Sequence, residues 1–364
     1  MSFCRPSYQK AEVVKQIVDG LLVCDDARFE VVVNDNASTD NTMEILSQID
    51  DPRFKLYRND TNVGAKKNWG LSLELGSGDY LYLVMGRDKL NGESIPDLLD
   101  ILKQAEAENI VYLRDLMYQR CRVYDGIDAM IRFVDSDHPT GLIVKRDVFK
   151  SIPERSEFFE KADIYPMSFV ACAALQKGKG ACIYSGVWRW EFLIDYGKFR
   201  STALKEAYYL PMHRIILFHE VIDSFFALHD RFSESEKNKY FRAKFTKLLY
   251  NVTTNYKNAN SPANRAEHLH YEYTPQNVGF TDMVKNMWEA YIDAKAYTRS
   301  KSIYSFTKQA IMCDAIVRRL CILSLRTILE FFGLLKAARN IKFSLRNKYF
   351  QIKYFLLRRK NNIK

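Results

Sequence analysis

Residues Phe29 to Asp40 read FEVVVNDNASTD, and the fold is decided here. Glu30 to Val33 is apolar except at its first position, the pattern of a strand covered on both faces in a parallel sheet. Asn34 to Asp40 then consists of turn and helix-cap residues apart from Ala37. Apolar positions resume at Met43, Ile45, Leu46 and Ile49 on one helical face, with Ser38, Thr39 or Asp40 placed to cap its first turn. Asp35 therefore stands at the C-terminal end of a parallel strand, where open α/β sheets bind their ligands. A plainer reading stands beside this one: Asp35 and Asp40 only hold the turn and cap the helix.

The same grammar extends on both sides. Ser2 to Cys4 is expected to be a very short first strand with Arg5 to Tyr8 as its exit loop. Ala11 to Leu22 follows as a helix buried through Val13, Val14, Ile17, Val18 and Leu21. Phe54 to Tyr57 reads as a strand, Asn59 to Gly64 as a polar turn, Ala65 to Leu75 as a helix and Tyr80 to Met85 as a strand. This alternation predicts an α/β fold with a mainly parallel sheet flanked by helices. Further strands are expected at Ile110 to Leu113, Gly141 to Lys145 and Ala181 to Tyr184, and helices at Ile95 to Glu108 and Ile164 to Leu175. From Lys198 to Tyr256 the chain reads as wholly helical, then loops to Gln276, and helices resume at Phe280. The α/β region is placed at 1–190, a mostly helical region at 191–316 and a tail at 317–364.

The chain has 364 residues and a formal charge of +10, unevenly spread. Residues 317–364 hold thirteen Lys or Arg against one acid, Glu330, a charge of +12 that leaves −2 on the rest. The basic balance thus belongs to the tail and does not make the body a nucleic-acid binder. Within the tail, Val317 to Leu335 is too apolar for one stripe on a soluble surface helix, and Ile341 to Leu357 interleaves apolar residues with Lys and Arg. Such segments lie in the interface of an anionic membrane. Packing across the body, or a dimer contact, is the structural alternative. Phosphate contact needs no dense Leu, Ile and Phe, which disfavours nucleic acid. No run approaches the length of a spanning helix and no secretory signal is visible. Seven cysteines without a CxxC pair fit reduced thiols in a cytoplasmic compartment.

Pro6-Ser7-Tyr8-Gln9-Lys10, Asp35-Asn36-Ala37-Ser38-Thr39-Asp40, Asn62-Val63-Gly64 and Asn68-Trp69-Gly70 occur in that order. In these motifs the first 90 residues resemble the nucleotide-binding half of a family 2 glycosyltransferase. The resemblance implies a GT-A-like fold and transfer of a sugar, with inversion, from a nucleotide-sugar donor, UDP-linked, to a glycan or lipid-linked acceptor hydroxyl. It implies that Asp35 accepts from the donor base, that Pro6 and Tyr8 flank that base, and that Asn36 shares the donor-binding turn. Lys66 and Lys67, in the first turn of a helix, are placed to reach phosphate. With the tail, the acceptor would sit at the inner face of the membrane and the protein would be peripheral there.

Inversion requires one general base. The acidic cluster Glu154, Glu157, Glu160 and Asp163 offers it, Asp163 first and Glu160 second. His138 is placed to contact acceptor or phosphate. The family's Asp-x-Asp metal motif is replaced by Val84-Met85-Gly86-Arg87-Asp88-Lys89. Three readings follow: Asp88 holds Mn²⁺ or Mg²⁺ with help from phosphate and water, weakly required; Arg87 supplies the positive charge itself; or the chain is an inactive GT-A-like scaffold or binding protein. A nucleotidyltransferase would want a Gly-rich phosphate loop after the first strand, which is missing.

Overall fold

Glu30 to Asp35 is a buried strand, two residues longer than the Glu30 to Val33 read from sequence, and the first quarter of the chain forms around it. The computed structural model describes residues 1–85, 88–104, 110–114, 121–134, 142–162, 165–176, 178–184, 188–192, 210–226, 231–260 and 277–332. Its first strands are β1 (Ser2–Ser7), β2 (Glu30–Asp35), β3 (Phe54–Arg58) and β4 (Tyr80–Leu83). They are mutually parallel in the order β3-β2-β1-β4. Between them lie helices α1 (Ala11–Leu22), α2 (Thr42–Leu46) and α3 (Ala65–Glu74). After β5 (Asp88–Leu90) and α4 (Ile95–Gln104) come β6 (Ile110–Arg114), β7 (Cys121–Tyr124), α5 (Gly126–Phe133) and β8 (Leu142–Lys145). Then follow α6 (Arg146–Lys150), α7 (Arg155–Lys161), α8 (Met167–Leu175), β9 (Gly180–Tyr184) and β10 (Trp188–Phe192). β8 is antiparallel to both β4 and β6, β9 is parallel to β6, and β7 closes the far edge.

Residues alternate between the two faces of the sheet, as the pleat requires. Phe3, Val31, Val33 and Tyr82 meet α1 and α4, whereas Cys4, Leu81 and Leu83 meet α3, α5 and α8. The helical half consists of α9 (Pro211–Phe226), α10 (Glu234–Tyr250), α11 (Tyr256–Ala259), α12 (Phe280–Ser300) and α13 (Phe306–Phe331). It shares its core with the second face: Phe225, Tyr240, Phe241 and Phe245 join the same buried cluster as Met130 and Val170. No described helix is long and apolar enough to cross a membrane.

Several boundaries differ from the sequence reading, each for a local reason. β1 runs to Ser7 rather than stopping at Cys4. Val84 N–H donates to the Cys4 carbonyl at 2.8 Å, so the alternate position Pro6 also faces β4. The β1–β4 register ends at Cys4 and Leu83, which leaves the missing donor of Pro6 without consequence. The helix expected from Ile164 begins at Met167, because Pro166 disfavours helical backbone at Tyr165. The run expected to be helical from Lys198 to Tyr256 breaks before α10, where Ser233 and Glu236 form a capping box. Past Tyr250 the helix continues through a π-type turn, Asn251–Asn255, to Ala259, beyond the expected loop start. α13 passes without interruption through position 317, and Arg319 and Arg326 tie it to Thr253 and Asn258. The two-stranded β5–β10 pair had no sequence signal.

The N-terminal edge of the sheet is locked by one carboxylate. Glu30, at the start of β2, accepts from Ser2 Oγ at 2.6 Å, Ser77 N–H at 2.6 Å and Lys55 Nζ at 2.5 Å. Burial by itself would raise its pKa, but Lys55, Ser2 and Ser77 together hold it down, from 4.5 to about 2. A depressed carboxyl stabilises the fold above its unfolded pKa and loses that contribution as pH falls toward the folded one. Discounted for solvent screening around the half-exposed Lys55, Glu30→Gln should cost about 1–2 kcal/mol at neutral pH. Chemical denaturation as a function of pH should show the gap between wild type and variant closing below about pH 4.

Candidate functional site

The C-terminal ends of β1, β2 and β3 meet in a cradle built from amides. Asn34 Nδ2 donates to Asn68 Oδ1 at 2.8 Å, and Asn59 Nδ2 donates to the same oxygen at 2.9 Å. Asn68 Nδ2 in turn donates to the Asn34 carbonyl at 3.1 Å. Asn36 donates to Asn62 Oδ1 at 2.8 Å and accepts from Asn59 Nδ2 and Val63 N–H. Each amide offers both donor and acceptor, so five side chains close on one another while satisfying buried backbone. This explains the spacing of the Asn-x-Gly pairs: Asn62 and Asn68 clamp the β3–α3 turn to the end of β2. Asn36, read as a donor-binding residue, sits inside this clamp.

Asp35 is fully buried opposite Ser7 in the β1–β2 register. Ser38 N–H donates to Asp35 Oδ2 at 2.9 Å and the Ser38 hydroxyl donates to Oδ1. Ser38 Oγ also accepts from Gln9 N–H at 2.8 Å, which joins the two strand-end loops. Ala37 and Gln9 take left-handed backbone, φ 58° and 50°, to make this possible. Both carboxylate oxygens keep acceptor capacity. Beside them the buried Ser7 hydroxyl has no hydrogen-bond partner among the described residues. Tyr8 and Pro6 border the same loop, Tyr8 half-buried.

Arg5 was not singled out from sequence. It is 3% exposed on β1, with Nη1 donating to the Val84 carbonyl at 3.3 Å, just ahead in the chain of the residues that replace Asp-x-Asp. Arg87, His138 and Asp163 lie outside the described residues, and of Asp88 the backbone alone is described, in β5. Met85, in the place of a motif carboxylate, packs on the hydrophobic core. Among the described residues no group of three His, Cys, Asp or Glu could hold a metal ion. One carboxylate flanked by Arg87 and Lys89 does not fit a hard divalent cation, which takes several oxygens.

The acidic cluster is reached from two sides. Lys67 Nζ pairs with Glu160 at 2.8 Å, and Lys66 Nζ donates to the Ala162 carbonyl. The Lys67 ammonium holds the Glu160 carboxyl below its usual range. From the helical half, buried Glu220 accepts from Tyr165 N–H at 2.8 Å. The ends of the segment that carries Asp163 are thus fixed by α3 and α9. Glu154 takes left-handed backbone ahead of α7, where Arg155 forms a paired contact with Glu74.

A parallel sheet with an acidic strand-end cradle, extended by antiparallel strands and backed by helices, defines a GT-A-like domain. Residues 2–167 match the family model described as Glycosyl transferase family 2. The abequosyltransferase RfbV of Salmonella typhimurium is 28% identical over 128 residues, 33% of this chain and 37% of that protein. The chain therefore spans little more than a third of that relative's length. Crystal structures of S. aureus TarS 1–349 superpose with a TM-score of 0.55, and 0.56 for its complex with UDP-GlcNAc. Both cover 90% of this chain and 91% of theirs at 12% identity, a likeness of fold.

Asn68 carries the most bonds of the clamp and is 2% exposed. Asn68→Ala should cost about 1–3 kcal/mol by removing the acceptor shared by the Asn34 and Asn59 amides and the donor to the Asn34 carbonyl. Urea denaturation measures the loss, and an unchanged midpoint would show that the network is not holding the cradle.

Proposed function

We propose that the chain is a glycosyltransferase that uses a nucleotide-sugar donor, UDP-linked, and transfers the sugar with inversion to a glycan or lipid-linked acceptor hydroxyl. The observation that carries this reading is the pairing of a buried carboxylate, Asp35, with the unpartnered Ser7 hydroxyl at the sheet's ligand-binding end. A carboxylate of fixed geometry accepts base N–H groups and rejects the wrong edge. Pro6 and Tyr8 border the base, and the Asn36 clamp shapes its pocket. The cradle also fits the donor named in the UDP-GlcNAc complex of TarS, a protein of the same fold.

The work divides along the chain in this reading: 1–190 binds donor and carries the chemistry, 191–316 supports the acceptor side, and 317–364 meets an anionic membrane where a lipid-linked acceptor resides. Asp163 is the general base. Glu160 is the weaker candidate, because a carboxylate stabilised by Lys67 gives up basicity. Lys67 turns to donor phosphate when it leaves Glu160, and His138 contacts the acceptor. Arg87 supplies the positive charge that a departing diphosphate requires. Loss of the Asp-x-Asp carboxylates also favours a second reading, an inactive scaffold that binds donor without turnover.

Asp35→Ala should weaken UDP-sugar binding roughly 10- to 150-fold, the worth of a charge-assisted bond of about 1.5–3 kcal/mol, while the melting transition stays cooperative. Calorimetric titration with equal affinity for both proteins would remove Asp35 from the donor site. Transfer by the wild type should persist in EDTA, and Arg87→Asp should abolish it there, with partial return on adding Mn²⁺. Abolition of wild-type transfer by EDTA and rescue by Mn²⁺ would return the metal to Asp88, whereas donor binding without any turnover would favour the scaffold.

A further inference from the structure

α13 is docked on the body and yet presents an apolar edge outward. Ile311, Met312, Ala315, Ile316 and Leu323 face inward and are buried. Arg319 reaches Thr253 Oγ1 at 2.9 Å, and Glu330 is held by Lys257 at 2.6 Å and Arg326 at 2.9 Å. The inward side of the helix is thus fully used. On the outward side Val317, Leu325, Ile328 and Phe332 are 60%, 58%, 53% and 65% exposed. With the exposed Cys321 between them, they follow one another at steps of four, four, three and four residues, which is one face of a helix. Ile322, 54% exposed, widens the face. Scattered apolar residues on a surface need no explanation, but a contiguous row does.

We infer that this row is a lipid-docking face, seated in the boundary between headgroups and acyl chains of an anionic bilayer with α13 lying along the surface. The inference deepens the membrane reading of the tail and rests on it. Charge complementarity selects the occupant. Arg318, 75% exposed, borders the row, and the chain beyond Phe332 carries ten Lys or Arg and no acid. A second copy seated on this face would add ten more uncompensated positive charges, whereas anionic headgroups neutralise them. A helix already anchored through its inward side and still apolar along its outward edge suits an interface that offers acyl chains.

The test is cosedimentation of the full chain with vesicles of phosphatidylcholine, with and without one quarter phosphatidylglycerol. The variant Val317→Ser/Leu325→Ser/Ile328→Ser is compared with a charge variant, Lys353→Gln/Arg358→Gln/Arg359→Gln/Lys360→Gln. The triple serine variant should lose binding to anionic vesicles by about ten-fold or more. It should keep its melting temperature and its affinity for UDP, which reads the donor site separately. Ile328→Ser alone should show the same loss at smaller size, so the inference remains testable if the triple variant folds poorly. Wild-type binding by the serine variants with loss in the charge variant would overturn the lipid-docking face and leave the tail reading standing. No binding by the wild-type chain would overturn both. A wild-type dimer in light scattering that the serine variant splits, with vesicle binding unchanged, would assign the face to a second copy and overturn the inference.

Discussion

Buried amides at the ends of β1, β2 and β3 impose the constraint on which the site depends. A strand that ends in Asn34, Asp35 and Asn36 brings polar groups into a region without solvent, and each must find a partner or cost free energy comparable to a lost hydrogen bond. Asn59, Asn62 and Asn68 supply those partners from the β3–α3 turn and the first turn of α3. The clamp fixes where α3 begins. That places Lys66 and Lys67 over Ala162 and Glu160, and so fixes one end of the segment that carries the proposed base. At the opposite edge Glu30 performs the matching task with Ser2, Lys55 and Ser77. The sheet is pinned at both ends by polar contacts, and its middle is held by apolar burial.

Much of this was legible in the chain, because local and global signals agree there. FEVVV specifies a doubly covered strand with Asp35 near its end, although pairing with β1 and β3 carries β2 through Asn34 and Asp35, past the expected turn start. Motif spacing named Asn62 and Asn68, although not their task, since a hydrogen-bond network between turns leaves no periodic trace. Arg5 escaped notice for a different reason. An arginine beside a proline reads as an exit loop, and its burial depends on β1 continuing to Ser7, which the loss of pairing with β4 permits. Glu220 gave no signal because its partner is a backbone N–H 55 residues away on another element. The short β5–β10 pair depends on tertiary placement and not on propensity.

Replacement of the metal motif by Met85, Gly86 and Arg87 is coherent with its surroundings. Met85 extends the apolar core where a carboxylate would need solvation or a cation, and buried Arg5 donates to the Val84 carbonyl next to it. A guanidinium in place of a cation, as proposed for Arg87, matches a diphosphate in charge and geometry. In that proposal an arginine also avoids the loading step that a dissociable cation imposes. The price is geometric, since a guanidinium binds phosphate oxygens in a plane while a cation gathers them radially.

α13 joins these considerations to the rest of the molecule. Its inward residues complete the core shared by sheet and helices, so it is not an appendage that can be removed without loss of packing. Its outward row nevertheless faces away from that core, and the polar anchors Arg319, Arg326 and Glu330 fix the rotation of the helix about its own axis. Because that rotation is set by the body, the outward row has a defined orientation relative to the strand ends. A surface that engages the row would hold the donor cradle at a constant height and tilt. For a transferase whose acceptor is tethered in that surface, such registration replaces a three-dimensional search by a two-dimensional one and raises the effective concentration of acceptor at the site.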